Sequence, residues 1–317
     1  MKITNYNLQI TIFSLLFLIF SPPVAFAQSL SLSISPPILE VMIMPGKEVT
    51  QTFTITNAGT DGYAVFSLVK FLPQGEYGQI STGEADNSGW FSLPEKTFIR
   101  SGETKNITVK ISPPPTAPEK DYYFTLFYEL ENENLPKFQD TSGNSAKAKI
   151  GANILISVSY DGIPAKKAGP VLLTAPKIID SLQGLTYTLR VTNAGQFLFK
   201  PQGIITVTSL LGQREILKLA PVNVISGSTR IIPCLEEENL TECKLEKKVL
   251  LGIYKAEASF TADEGGPIKY TSQTTTFAIP FSITFGITTV ILGYLAIKKL
   301  IKKRSFDIRK KIVNTIC

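Results

Sequence analysis

The chain has 317 residues, 18% of them charged, and no histidine. Without histidine there is no Ser-His-Asp or Cys-His catalysis and no His-ligated zinc or haem, and three cysteines fall short of a four-cysteine metal site. The net charge of +6 belongs to residues 298–317, which hold eight Lys/Arg against Asp307, so the rest of the chain is slightly acidic and no nucleic-acid surface is expected.

Residues 1–27 read as a secretory signal. Lys2 supplies the positive start, ITIFSLLFLIF over 10–20 the apolar core, and Ser21-Pro22-Pro23 the helix break. Ala25-Phe26-Ala27 fits the small-x-small pattern of a cleavage site. The apolar core is too short to cross a bilayer, which takes about 20 residues.

From 28 to 276 the apolar residues alternate with period two, as in strands with one face on a core and the other in water. Ile107, Val109 and Ile111 alternate with Thr108 and Lys110 in the first half. Leu185, Tyr187, Leu189 and Val191 alternate with Thr and Arg in the second, as do Tyr254, Ala256, Ala258 and Phe260 with Lys, Glu and Ser. Turn clusters lie between, among them Pro45-Gly46, Asn57-Ala58-Gly59 and Pro113-Pro114-Pro115. Phe53-Thr54-Ile55-Thr56-Asn57-Ala58-Gly59 returns as Leu189-Arg190-Val191-Thr192-Asn193-Ala194-Gly195, and Ser101-Gly102-Glu103-Thr104-Lys105 as Ser226-Gly227-Ser228-Thr229-Arg230, in the same order. The expectation is two tandem immunoglobulin-like β-sandwiches, at 28–160 and 161–276, joined through the Gly/Pro-rich stretch 161–170.

Within the first copy, Trp90 is the only tryptophan and serves either core packing or stacking on a sugar ring. Tyr122, Tyr123, Phe124, Phe127 and Tyr128 put aromatics on both faces of one strand. One face packs inward; the other is a binding surface or a domain interface. Trp90 and Tyr123 are therefore the candidate ligand contacts. Ser67-Leu68-Val69-Lys70 fits S-x-x-K but lies in a strand with no partner motif. Glu129, Glu131 and Glu133 share one strand face, as a solvated strand end or as hard oxygen donors. In the second copy, Cys234 and Cys243 flank an acidic segment and, in an exported chain, read as a disulfide. Asp263-Glu264-Gly265-Gly266 reads as a hairpin turn first, with a calcium loop as the lesser reading.

Residues 277–297 carry no charge and match one membrane span, and Lys298, Lys299, Lys302, Lys303 and Arg304 follow at once. By the positive-inside rule the tail 298–317 is cytoplasmic and the body lies outside the cell membrane. No stalk separates the second sandwich from the span, so that domain is expected to rest on the bilayer with the first held outward.

The run from Ser35-Pro36-Pro37 through Pro45-Gly46 to Thr56-Asn57-Ala58-Gly59, then Trp90 to Ser112 and the strand after Pro113-Pro114-Pro115, resembles the immunoglobulin-like domain of periplasmic pilus chaperones. The whole layout is similar to that of bacterial WxL-interacting surface proteins. That likeness implies a wall-facing first domain and a second domain that holds another surface protein. Pilus chaperones are soluble and carry basic residues in their cleft for a subunit's terminal carboxylate; here 29–38 and 150–160 contain neither Lys nor Arg. The expected function is a non-enzymatic, membrane-anchored binding or scaffolding protein whose partner is a cell-wall polymer or another surface protein. The alternative is an accessory subunit of a membrane or secretion assembly. No catalytic, cofactor or metal residues are expected.

Overall fold

The computed structural model describes residues 32–131, 149–247, 249–262, 266 and 268–316, with 303–316 as backbone alone. The signal segment 1–27, Glu133 and Asp263-Glu264-Gly265 fall outside them. Two β-sandwiches follow one another along the chain. In the first, one sheet orders β1 (Leu32–Ser35), β3 (Val49–Asn57), β8 (Thr104–Ile111) and β6 (Phe91–Ser92). The facing sheet orders β2 (Ile38–Ile43), β10 (Lys149–Val158), β9 (Lys120–Glu131), β4 (Gly62–Gln74) and β5 (Gln79–Ala85), with β7 (Lys96–Ile99) also on β4.

The second sandwich sets β11 (Ala168–Thr174), β13 (Leu185–Asn193) and β16 (Thr229–Ile232) in one sheet, with β19 (Cys243–Leu245) on the first residues of β13. Opposite lie β12 (Ile178–Asp180), β21 (Lys269–Ile279), β20 (Gly252–Thr261), β14 (Gln202–Ser209) and β15 (Arg214–Lys218). A separate hairpin of β17 (Cys234–Glu236) and β18 (Asn239–Thr241) is closed by the Cys234–Cys243 disulfide.

Each sandwich has its own core. Phe53, Ile55, Ile107 and Val109 of one sheet meet Phe124, Leu126, Ile154 and Ile156 of the other in the first. Leu185, Tyr187, Leu189 and Val191 meet Tyr254, Ala256, Ala258 and Phe260 in the second. These are the alternating sets, and each large side chain so buried is worth about 1.5–3 kcal/mol.

The two copies share a topology. The first strand of each begins in one sheet, antiparallel to β3 or β13, and finishes in the other, parallel to β10 or β21. Prolines mark both crossings, Pro36-Pro37 between β1 and β2 and Pro176 between β11 and β12. A proline donates no backbone hydrogen bond, so the ladder ends there and the chain is free to change sheets.

The repeated Asn-Ala-Gly has one hydrogen-bond pattern in both copies. The Asn57 carbonyl accepts from Gly102 N and the Asn193 carbonyl from Gly227 N. Gly59 N and Gly195 N donate back to the asparagine Oδ1 at 2.9 and 2.8 Å. Asn57 Nδ2 donates to the Thr60 and Arg100 carbonyls, and Asn193 Nδ2 to those of Phe197 and Val224. Gly102 and Gly227 have φ of 74° and 71°, where a side chain is strained. The repeat therefore preserves a buried amide that closes two loops at once.

The last strand runs further than its sequence suggested. Residues 277–279 belong to β21 and pair with β12, and Ala278 is buried in the core. An apolar run does not show on its own where strand gives way to helix; here Pro280 does. Its carbonyl accepts the first helical bond, from Thr284 N at 3.0 Å, and α1 (Phe281–Ile316) follows. Pro280 has no side-chain acceptor to cap the helix. Asp180, on the neighbouring strand, supplies one: its Oδ2 accepts Ser282 N at 2.7 Å and its Oδ1 accepts Leu182 N at 2.9 Å. A carboxylate there also suits the positive end of the helix. The stretch Phe281–Lys302 is long and apolar enough to cross a membrane, and none of it is buried against the sandwiches.

Candidate functional site: the cleft between the sandwiches

Among the described residues, three groups of hydrogen bonds join the domains. At the first, Asp121, at the start of β9, is buried and receives Ser157 Oγ at 2.6 Å on one oxygen. On the other it receives Tyr123 OH at 3.0 Å and Leu198 N at 2.5 Å from the second domain. Its own N–H donates to the Gln196 carbonyl, and Tyr123 OH accepts Ser226 N at 2.9 Å. Burial pushes the Asp121 carboxyl above the usual range, partly offset by the bonds from Ser157, Leu198 and Tyr123. Burial, then the neighbouring Asp121 charge, pushes the Tyr123 phenol far up, so it stays a hydroxyl.

The second contact is a hairpin. Strands β4 and β5 pair as far as Gln74 and Gln79, and Glu76 at their turn reaches the second domain. Its carbonyl accepts Ile231 N at 2.7 Å and its carboxylate accepts Arg190 Nε at 2.9 Å. The third is Glu40 on β2, whose carboxylate accepts Lys200 Nζ at 2.8 Å and Asn223 Nδ2 at 2.6 Å. Burial raises the Glu40 carboxyl, but the bonds from Asn223 and Lys200 outweigh it and hold it below the usual range.

Between the second and third contacts lies a cavity of about 140 Å3. Phe71, Leu155 and Ile38 form its first-domain wall; Asn223, Ile225 and Arg230 form the other. Arg230 Nη1 donates to the Asn223 carbonyl at 2.5 Å. Its Nε and the Asn223 Oδ1 are buried and have no hydrogen-bond partner among the described residues. Burial lowers the hold of Arg230 on its proton, yet a guanidinium stays charged in proteins. Gly78 lies so near that a Cβ there would stand 2.6 Å from the guanidinium. The site thus offers one guanidinium donor and one amide acceptor on an apolar floor, a lining that can hold a hydrogen-bonding ligand.

Beside the cavity runs β2, an edge of its sheet. Glu40, Ile38 and Met42 lie on one face of β2, and both apolar side chains are exposed. One side of its backbone has no strand partner among the described residues, which is a template for an added strand.

No protein-family model matches the chain, and no curated protein does. Solved structures similar to it include the class 5 fimbriae chaperone CfaA, at 12% identity and a TM-score of 0.37, covering 78% of this chain and 100% of that one. The E. coli chaperone DraB matches at 12% and 0.34, covering 79% and 98%. A chain of the Salmonella enterica SafA pilin–SafB chaperone complex matches at 10% and 0.35, covering 77% and 97%. At such identities and scores the likeness carries no inference of function.

Of the residues singled out from the sequence, Tyr123 belongs to the interdomain contact, where it also stacks on Phe71 with ring centroids 5.5 Å apart. Trp90 is buried in the first core, edge-on to Tyr122 at 4.5 Å, and away from the cleft. Cys234 and Cys243 are bonded to each other. Glu129 stands opposite Lys149 in the ladder. Ser67 and Lys70 lie on β4, and Lys70 is 3.8 Å from Asp86. Sequence reasoning missed Glu40, Glu76, Asp121 and Arg230. Residues 29–38 and 150–160 carry no Lys or Arg, and the cleft takes its basic residues from the second domain. Arg230 was in view, as the last residue of the repeated Ser-Gly segment.

Proposed function

We propose that this chain is a non-enzymatic binding protein, held at the outer face of the cell membrane by α1, whose interdomain cleft and β2 edge receive a segment of another protein. The buried, unpartnered Nε of Arg230 carries the proposal. A buried guanidinium donor left unmade costs about 1–3 kcal/mol or more, so a partner carbonyl or carboxylate there recovers free energy. The apolar floor and the open edge of β2 supply area and backbone bonds for the same segment. The basic run after the span supports a cytoplasmic tail and an exported body. A surface protein fits this chemistry better than a wall polymer, since the one tryptophan suited to sugar stacking is buried.

Photo-crosslinkers at Met42 and Ile80, with Leu172 as a control outside the cleft, test this in intact cells. The expected result is one surface protein captured from Met42 and Ile80, with Arg230→Ala lowering the yield at least about tenfold, as for a buried hot-spot residue. Adducts formed only from Val290 on α1, and only with membrane-embedded proteins, would replace this account with the accessory-subunit one.

A further inference from the structure

The end of the second domain from which α1 leaves is stitched together by backbone bonds between four segments. Ser181 N donates to the Ile279 carbonyl, Leu250 N to the Ser181 carbonyl, and Leu210 N to the Ile253 carbonyl. The Asp180 bond to Ser282 N adds the helix itself. These same segments expose large apolar side chains. Leu211 is 86% exposed, Leu210 67% and Leu251 63%, and Leu182 and Val249 are also exposed.

Single exposed leucines are ordinary on a protein surface. Five large apolar side chains on adjoining loops at one end of a domain are not, and such patches mark a contact surface. Leu210 and Leu211 occupy the tight turn between β14 and β15, a place where sequence usually puts polar residues. What covers them is indicated by the helix. It starts at Phe281 in the same stitched end, without a spacer, and is apolar from its first residue.

We propose that Leu182, Leu210, Leu211, Val249 and Leu251 form a lipid-contacting rim that sits in the headgroup region of the outer leaflet beside α1. This inference rests on the reading of α1 as a membrane span. The rim and the Asp180 cap together give the second domain a fixed attitude on the bilayer, and the three interdomain contacts pass that attitude to the cleft. Interfacial seating by apolar side chains next to an anchor needs no specific lipid.

The test uses the full chain in vesicles of phosphatidylcholine and phosphatidylglycerol, with or without a lipid quencher near the headgroups. Cys317 is replaced by serine, and an environment-sensitive dye is placed at one of Leu211→Cys, Leu251→Cys, Tyr77→Cys or Val290→Cys. The oxidised Cys234–Cys243 pair does not react. Dyes at 211 and 251 should lose roughly half their emission or more to the quencher, as interfacial residues do, while the dye at 77 keeps its own. Dyes at 211 and 251 that behave like the dye at 77, with 290 shielded from water, would overturn the rim. A dye at 290 that is fully water-exposed would overturn the span and the rim with it.

Discussion

At the scale of single residues, the buried asparagines are the clearest stability determinants outside the cores. Asn193→Ala leaves two carbonyls and one amide N–H of tight loops without their partner. The expected loss is about 2–3 kcal/mol, seen as a lower guanidinium midpoint for the second domain; a loss under about 0.5 kcal/mol would contradict the role assigned to the repeat. The hairpin turn Glu237-Glu238 offers the opposite case. Both residues have positive φ, as the two-residue turn between paired Glu236 and Asn239 requires. Glu238→Gly removes a left-handed side chain and should stabilise by roughly 1 kcal/mol, again by denaturation. Two aspartates differ in sign. Asp121 is raised by burial, so its contribution to stability is present below the ordinary carboxyl value of 3.8 and is lost as pH rises through the raised one. Asp180 is lowered by the Ser282 and Leu182 amides, so its contribution is present above 3.8 and is lost as pH falls through the lowered one. Carboxyl carbon titration of the full chain in micelles, assigned with Asp121→Asn and Asp180→Asn, should find Asp121 the weaker acid.

At the scale of elements, the β4–β5 hairpin is the part of the first domain that clasps the second. Its ion pair, Glu76–Arg190, is more than a third exposed on both sides, so Glu76→Gln should cost under about 1 kcal/mol. Gly78→Ala should do more. It strains a φ of 81° and forces Arg230 aside, so about 1–2 kcal/mol is lost and capture of the partner at Ile80 falls with it. The elements differ in how well sequence revealed them. Strand β13 alternates buried and half-buried residues along its whole length, and its period is plain in LTYTLRVTN. Strands β5 and β15 bury almost nothing, so QISTGEA and REILK carry no such signal. The cleft was less legible still. Glu40, Glu76, Asp121 and Arg230 come from four distant segments, and only the pairing of the two sandwiches brings them together. Tyr123 was visible as an aromatic on the second face of β9, with a domain interface as one of its two possible uses.

At the scale of the whole molecule, hydrogen bonds join the first sandwich to the second and the second to the start of the helix. On the proposed reading, a partner in the cleft would be held at a distance from the base of the helix that these bonds set. On that reading, the sandwiches and the tail 298–317 lie on opposite sides of the membrane. Cys317 provides a native probe, since Cys234 and Cys243 are bonded to each other. A membrane-impermeant maleimide applied to intact spheroplasts carrying Tyr77→Cys should label residue 77 and leave Cys317 untouched until the cells are lysed. Labelling of Cys317 before lysis, with residue 77 protected, would contradict the account.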